Sequence, residues 1–165
     1  MYSRNAVTLP LKQRLSRRRF VAMDIENVNG GALSNEYLAD AAFRAVADAI
    51  GLGDGEQVVI GVGPSSLLAA GLSRPSARFV MGRGISGADH ALIEVLRNEH
   101  LANRFDEVVI VSGDGIFADV AAWLAFEGVQ VTIVARRGHL SRRLNLDHGQ
   151  VVLLPEQTSL LDSAA

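Results

Sequence analysis

Six short apolar runs recur along the chain: FVAMD at 20–24, QVVIGVG at 57–63, ARFVM at 77–81, EVVIVS at 107–112, VQVTIVA at 129–135 and QVVLLP at 150–155. They are apolar on both faces rather than alternating, which is the pattern of parallel strands buried above and below. Helix-type runs lie between them, at 35–50, 65–72, 88–103 and 116–127, the last closed by Gly128. In the first, Ser34 is the expected N-cap, and Leu38, Ala42, Ala45, Val46 and Ala49 the apolar face. Strand–helix alternation with short connections predicts an α/β three-layer sandwich around a mainly parallel central sheet. The expected organisation is a basic N-terminal tail at 1–18, one domain at 19–156 and a C-terminal tail at 157–165.

Composition narrows the chemistry. A chain of 165 residues makes one domain and needs no disulfide or structural metal to fold. Cysteine is absent, which removes thiolate zinc sites and cysteine nucleophiles. Lys12 is the one lysine and precedes the first strand. Walker-type phosphate binding, Schiff-base chemistry and haloacid-dehalogenase-type phosphatase sites all want a lysine inside the domain. The formal net charge is −2. The basic residues are nevertheless grouped, six of them before Asp24 and a second set, Arg136, Arg137, Arg142 and Arg143 with His139, near the end. Such groups are candidate phosphate contacts or solvated surface. No run is long enough for a signal sequence or a membrane span, so a cytoplasmic location without membrane contact is expected.

In open α/β sheets, ligands bind at the carboxyl ends of the strands. Here three strand ends are each followed by a carboxylate: Asp24 in DIEN, Asp89 in GRGISGAD and Asp114 in SGDG, with Asp119 farther along the next helix. Aspartate is common at turns and helix starts for capping reasons. Asp24 is harder to explain that way, because it ends an apolar strand where charge is expensive to bury. Gathered together, such carboxylates would repel one another unless a cation lay among them. Mg2+ or Mn2+ is the expected cofactor, being a hard ion taken by oxygen ligands.

DIENV at 24–28, SGAD at 86–89 and VSGDGIF at 111–117, in that order and on those strands, resemble the NYN domains of the PIN-like ribonuclease superfamily. The resemblance spans about Phe20 to Pro155. It implies a Rossmann-like (PIN-like) sheet and metal-dependent, endonucleolytic cleavage of RNA. By position Asp24, Asn27, Asp89 and Asp114 match the family's acidic-site motifs, with Asn27 and Ser112 as supporting polar groups. The family often reads SGDGDF, and Ile116 stands here in place of the second acid. Asp119 is the residue that would compensate as a metal ligand. Arg83, Arg136, Arg137, Arg142 and Arg143 are the expected RNA contacts. A non-catalytic RNA-binding module with a degenerate metal site is the main alternative, a phosphatase or nucleotide-binding enzyme the second. A homodimer stays open.

Other signals are weaker. GRGISG at 82–87 matches G-x-G-x-x-G, but it follows the third strand rather than the first and leads into Asp89, which would repel a pyrophosphate. Trp123 and Phe126, at helical spacing, are expected in the core. His90, His100 and His148 have no ligand-like spacing.

Overall fold

All six apolar runs form strands, and the two-sided burial expected of them is what the chain builds. The computed structural model describes residues 18–145 and 149–156; residues 1–17 of the expected tail at 1–18, the expected tail at 157–165, and His148 lie outside them. The elements in chain order are β1 (Arg19–Asp24), α1 (Ile25–Asn29), α2 (Glu36–Ile50), β2 (Gln57–Val62), α3 (Leu67–Ser73), β3 (Arg78–Met81), α4 (Gly87–Asn98), β4 (Glu107–Val111), α5 (Ala118–Phe126), β5 (Gln130–Arg136) and β6 (Gln150–Leu154). Single 3-10 turns stand at Leu101–Asn103, Gly115–Phe117 and Arg142–Leu144.

The sheet is wholly parallel, in the order β3-β2-β1-β4-β5-β6. The chain starts at the centre, winds out to one edge, then returns to β4 and winds out to the other. Side chains alternate between two cores. Phe20, Ala22, Val108, Ile110, Val131 and Ile133 meet Leu92 and Leu96 of α4 and Val120 and Leu124 of α5. Val21, Met23, Val109, Val111 and Val134 meet α1, α2 and α3 on the opposite face. The result is the three-layer α/β architecture, and the strand order reverses between β1 and β4, where such folds open a crevice.

Local chemistry moved several boundaries. Asn35, not Ser34, caps α2, its Oδ1 accepting the Leu38 N–H at 3.1 Å. The buried stripe of α2 is Ala39, Ala42 and Val46, with Leu38 and Ala49 turned to solvent. Alanines on both flanks make the face ambiguous by hydropathy, and packing against α1 and α3 decides it. The helix expected at 88–103 ends at Asn98, and His100 at φ 51° turns the chain into a 3-10 turn. The one at 116–127 begins as a 3-10 turn because Asp114 caps Ile116. Phe126 is 87% exposed, against the core role expected of it, whereas Trp123 packs at the core margin under Arg97.

The end of the sheet away from the strand C-termini is closed by Arg19. Its Nε and Nη2 donate to the two Glu56 carboxylate oxygens at 2.6 and 2.7 Å. The same guanidinium reaches the Ile50 and Gly51 carbonyls, while Glu56 also accepts the Gly53 N–H at 2.7 Å. Both side chains are mostly buried, at 15% and 20% exposure. Glu56→Gln removes the charge that this cluster is built around. It is expected to lower stability by about 1–3 kcal/mol in urea unfolding. A loss well under that range would mean that water replaces the pair.

Candidate active site

The charge at the end of β1 is accommodated by an abrupt change of backbone. Asp24 is the N-cap of α1, which starts at the next residue, so DIEN is a helix start and not the extended strand end that its sequence suggests. Asp24 Oδ1 accepts the Asn27 N–H at 3.2 Å, and Oδ2 accepts the Ser112 hydroxyl at 3.2 Å from the end of β4. Asn27 Oδ1 in turn accepts the Gly113 N–H at 3.1 Å, and Ser112 Oγ accepts the Asp114 N–H at 3.2 Å. The two strands at the switch point are thus tied through Asp24, Asn27 and Ser112. Glu26 turns to the other neighbour, β2, and accepts the Gly63 N–H at 3.2 Å.

Asp89, on the first turn of α4, brings its carboxyl against that of Asp24. The two are 8% and 6% exposed. Gly61 of β2 makes this approach possible, because a Cβ there would stand 2.6 Å from Leu92 and 3.2 Å from the Ala88 carbonyl. Burial pushes the Asp24 carboxyl up to about 7, and the charge of Asp89 and a hydrogen bond with it push the same way. The Asn27 N–H and the Ser112 hydroxyl pull in the opposite direction and lose. Asp24 therefore keeps its proton far above the ordinary carboxylate range.

The remaining acids stand apart from this pair. Asp114 is exposed, and its Oδ1 accepts the Ile116 N–H at 3.0 Å. Asp119 projects from α5 with 81% of its side chain exposed and lies 3.5 Å from Arg143. Among the described residues no group of three or more His, Asp or Glu side chains is placed to hold a metal. The four-acid set expected from the sequence is, in the fold, a buried pair, a rim carboxylate and a surface ion-pair partner. Ile116, at the position of the missing acid, packs against the core.

The basic loop after β5 is fastened to the same edge. Ser141 N–H donates to the Gly113 carbonyl at 2.9 Å. A Cβ on Gly113 would overlap the His139 carbonyl, and one on Gly115 would stand 2.7 Å from Ser141 Oγ. The glycines of SGDG are thus the bed on which the loop carrying Arg142 and Arg143 rests, a role that motif reading did not reveal. Arg137, Arg142 and Arg143 are exposed, as is Arg83 in the 82–87 loop. Arg136 is different. Its guanidinium packs on Gly30, where a Cβ would stand 2.8 Å from Nη1, and its Nε is buried with no partner among the described residues.

No family model matches the chain, and neither does any curated protein. A solved structure of a protein of unknown function from Vibrio parahaemolyticus superposes with a TM-score of 0.57 at 17% identity, covering 85% of this chain and 94% of that one. That likeness is one of fold.

Asp24→Asn gives a direct reading of the pair's energetics. The amide oxygen can still accept the Asn27 N–H, while the amide NH2 stands in place of Oδ2, donates rather than accepts, and removes the titration. In the native chain the folded state holds a proton between roughly pH 4 and 7 that the unfolded chain releases, so stability falls as pH rises through that window. In EDTA, Asp24→Asn is expected to be more stable than the native chain by roughly 3 kcal/mol at pH 8. The difference should vanish near pH 4. A gain that is independent of pH would show that Asp24 is not the buried, proton-holding group.

Proposed function

We propose that the protein is a divalent-cation-dependent ribonuclease of the NYN type, acting in the cytoplasm and cutting RNA internally. The observation that carries the reading is the buried Asp24–Asp89 pair at the switch point between β1 and β4. Two carboxylates at such a place are the protein share of an Mg2+ or Mn2+ site, because these ions are often held by one or two carboxylates, with water and substrate phosphate completing the shell. The donor chemistry of the pair fits such an ion. Once bound there, it would supply positive charge to a phosphate and acidify water.

The chain's own groups have distinct tasks. Asp24, as a carboxylate, would hold the ion, and Ser112 and the Asn27 N–H keep its oxygens in place. Asp89 enters from the opposite side on a rigid helix. Arg137, Arg142 and Arg143 contact phosphates along the strand, and the Gly113–Ser141 contact fixes their distance from the pair. Asp114 stands at the rim with one oxygen committed to Ile116, where it orients solvent next to the phosphate. The overall reaction adds water across a phosphorus–oxygen bond, leaving one fragment with a phosphate end and the other with a hydroxyl.

The alternative, an RNA-binding module without turnover, is favoured by one observation, the lack among the described residues of a third carboxylate grouped with the pair. Cleavage of labelled single-stranded RNA in Mn2+ decides between them. Native protein should cut, EDTA should abolish cutting, and Asp24→Asn or Asp89→Asn should each lower turnover at least ~100-fold, while Asp114→Asn lowers it ~10-fold. Binding without cutting would support the module, and release of phosphate from small esters would support a phosphatase.

Replacing Arg142 and Arg143 together with alanine should weaken RNA binding evenly across sequences and reduce the slope of log affinity against log salt by up to about 2. An unchanged slope would make the loop a solvated surface.

A further inference from the structure

The loop between β3 and α4 is closed at its neck. The backbones of Gly82 and Gly87 touch, and a Cβ on either residue would overlap the other. Four residues, Arg83 to Ser86, project from that neck. A turn from the Gly87 N–H to the Gly84 carbonyl, at 3.2 Å, folds the tip. Ser86 takes a left-handed conformation at φ 56°, which L-residues avoid. Its carbonyl is held twice by His90, through the backbone N–H at 3.0 Å and through Nδ1 at 2.8 Å. The loop backbone is therefore stiff, and it presents two exposed side chains, Arg83 and Ile85.

Ile85 is 99% exposed. It has no packing to gain where it stands, and the same helix turn that follows the loop carries Asp89 into the carboxylate pair. The tip therefore lies at the same carboxyl end of the sheet as the pair. An apolar side chain and a guanidinium two residues apart match the two parts of a nucleotide, a flat base and a phosphate. A protein partner is a poorer match, since a stable interface buries about 800 Å² on each side and one isoleucine supplies a small part of that. Stiffness suits this role, because a pre-ordered contact loses little entropy on binding.

We propose that the 83–86 loop reads the substrate, with Ile85 packing on the base of the nucleotide beside the scissile phosphate and Arg83 contacting that nucleotide's phosphate. The proposal rests on the ribonuclease reading and names the residue that sets its base preference. The test uses four single-stranded RNAs that differ at one position, the full-length chain, and the variants Ile85→Ser, Ile85→Phe and Arg83→Ala. Binding is followed by fluorescence anisotropy in EDTA, cleavage in Mn2+, and folding by thermal melting.

Ile85→Ser should raise Kd and KM about 5–30-fold, leave kcat within about twofold and flatten the preference among the four RNAs. Ile85→Phe should restore or sharpen that preference. Arg83→Ala should weaken all four evenly. Unchanged Kd, KM and cleavage pattern in Ile85→Ser would overturn the proposal, and so would a native dimer that this variant turns into a monomer. Ile85-dependent binding without cleavage would overturn the ribonuclease reading and uphold the loop. Cleavage that ignores Ile85 would do the reverse, and no RNA binding by the native chain would overturn both.

Discussion

A carboxyl at the end of the central strand, buried beside a second carboxyl, is the constraint around which this edge of the molecule is arranged. β1 lies between β2 and β4, so Asp24 cannot relax towards an edge or out into solvent. Its lone pairs must be satisfied from the protein, and the chain does this by starting a helix at once. Turning at residue 25 lifts Asn27 over the strand ends, where it accepts the Gly113 N–H. One short segment thereby satisfies its own charge and holds together the two strands between which the topology reverses. A slower turn would leave both the acid and the Gly113 N–H in want of partners, each a costly defect at such depth.

The glycines at this edge have a second, steric logic. Gly61 admits Leu92 and with it α4, which delivers Asp89. Gly82 and Gly87 allow two backbones to touch, and Gly113 and Gly115 admit the His139–Ser141 segment. In each case the missing side chain lets another segment come close enough to place a functional group. None of these positions has a left-handed backbone. What they require is space, so alanine would be excluded by contact rather than by conformation.

Much of the fold was legible because the strands carry their burial in plain view. EVVIV and VQVTIVA can be placed nowhere but inside a sheet. The site was legible in part. Asp24 stood out as a charge ending an apolar run, and Asp89 followed from its place after β3. Asp114, between two glycines, reads alike as ligand and as cap; in the fold it stands exposed with Oδ1 accepting the Ile116 N–H. Asp119 lies one helical turn beyond Ile116, yet helix spacing says nothing of its exposure or of Arg143, which lies 3.5 Å from it. Arg136 was counted with the arginines after it, although strand alternation sends its side chain to the α1 and α2 layer with Val134. The contact of SGDG with the basic loop joins residues far apart in sequence, and no local pattern records it.

The carboxylate pair is also the clearest departure from what stability alone would select. An asparagine at position 24 could accept the Asn27 N–H and donate from its amide to Ser112 or Asp89, with no charge to bury. Keeping an acid whose ionisation is opposed by burial and by a neighbouring acid makes the metal-free fold weaker at neutral pH than it need be. Such a penalty is expected at binding sites, where the repulsion that destabilises the empty fold becomes attraction for a cation. The surroundings agree with that direction. The pair is almost closed to water, and the exposed arginines Arg137, Arg142 and Arg143 are held on another segment. A guanidinium inserted between Asp24 and Asp89 would relieve the strain permanently. Holding the arginines at the rim leaves the repulsion in place for a ligand to relieve.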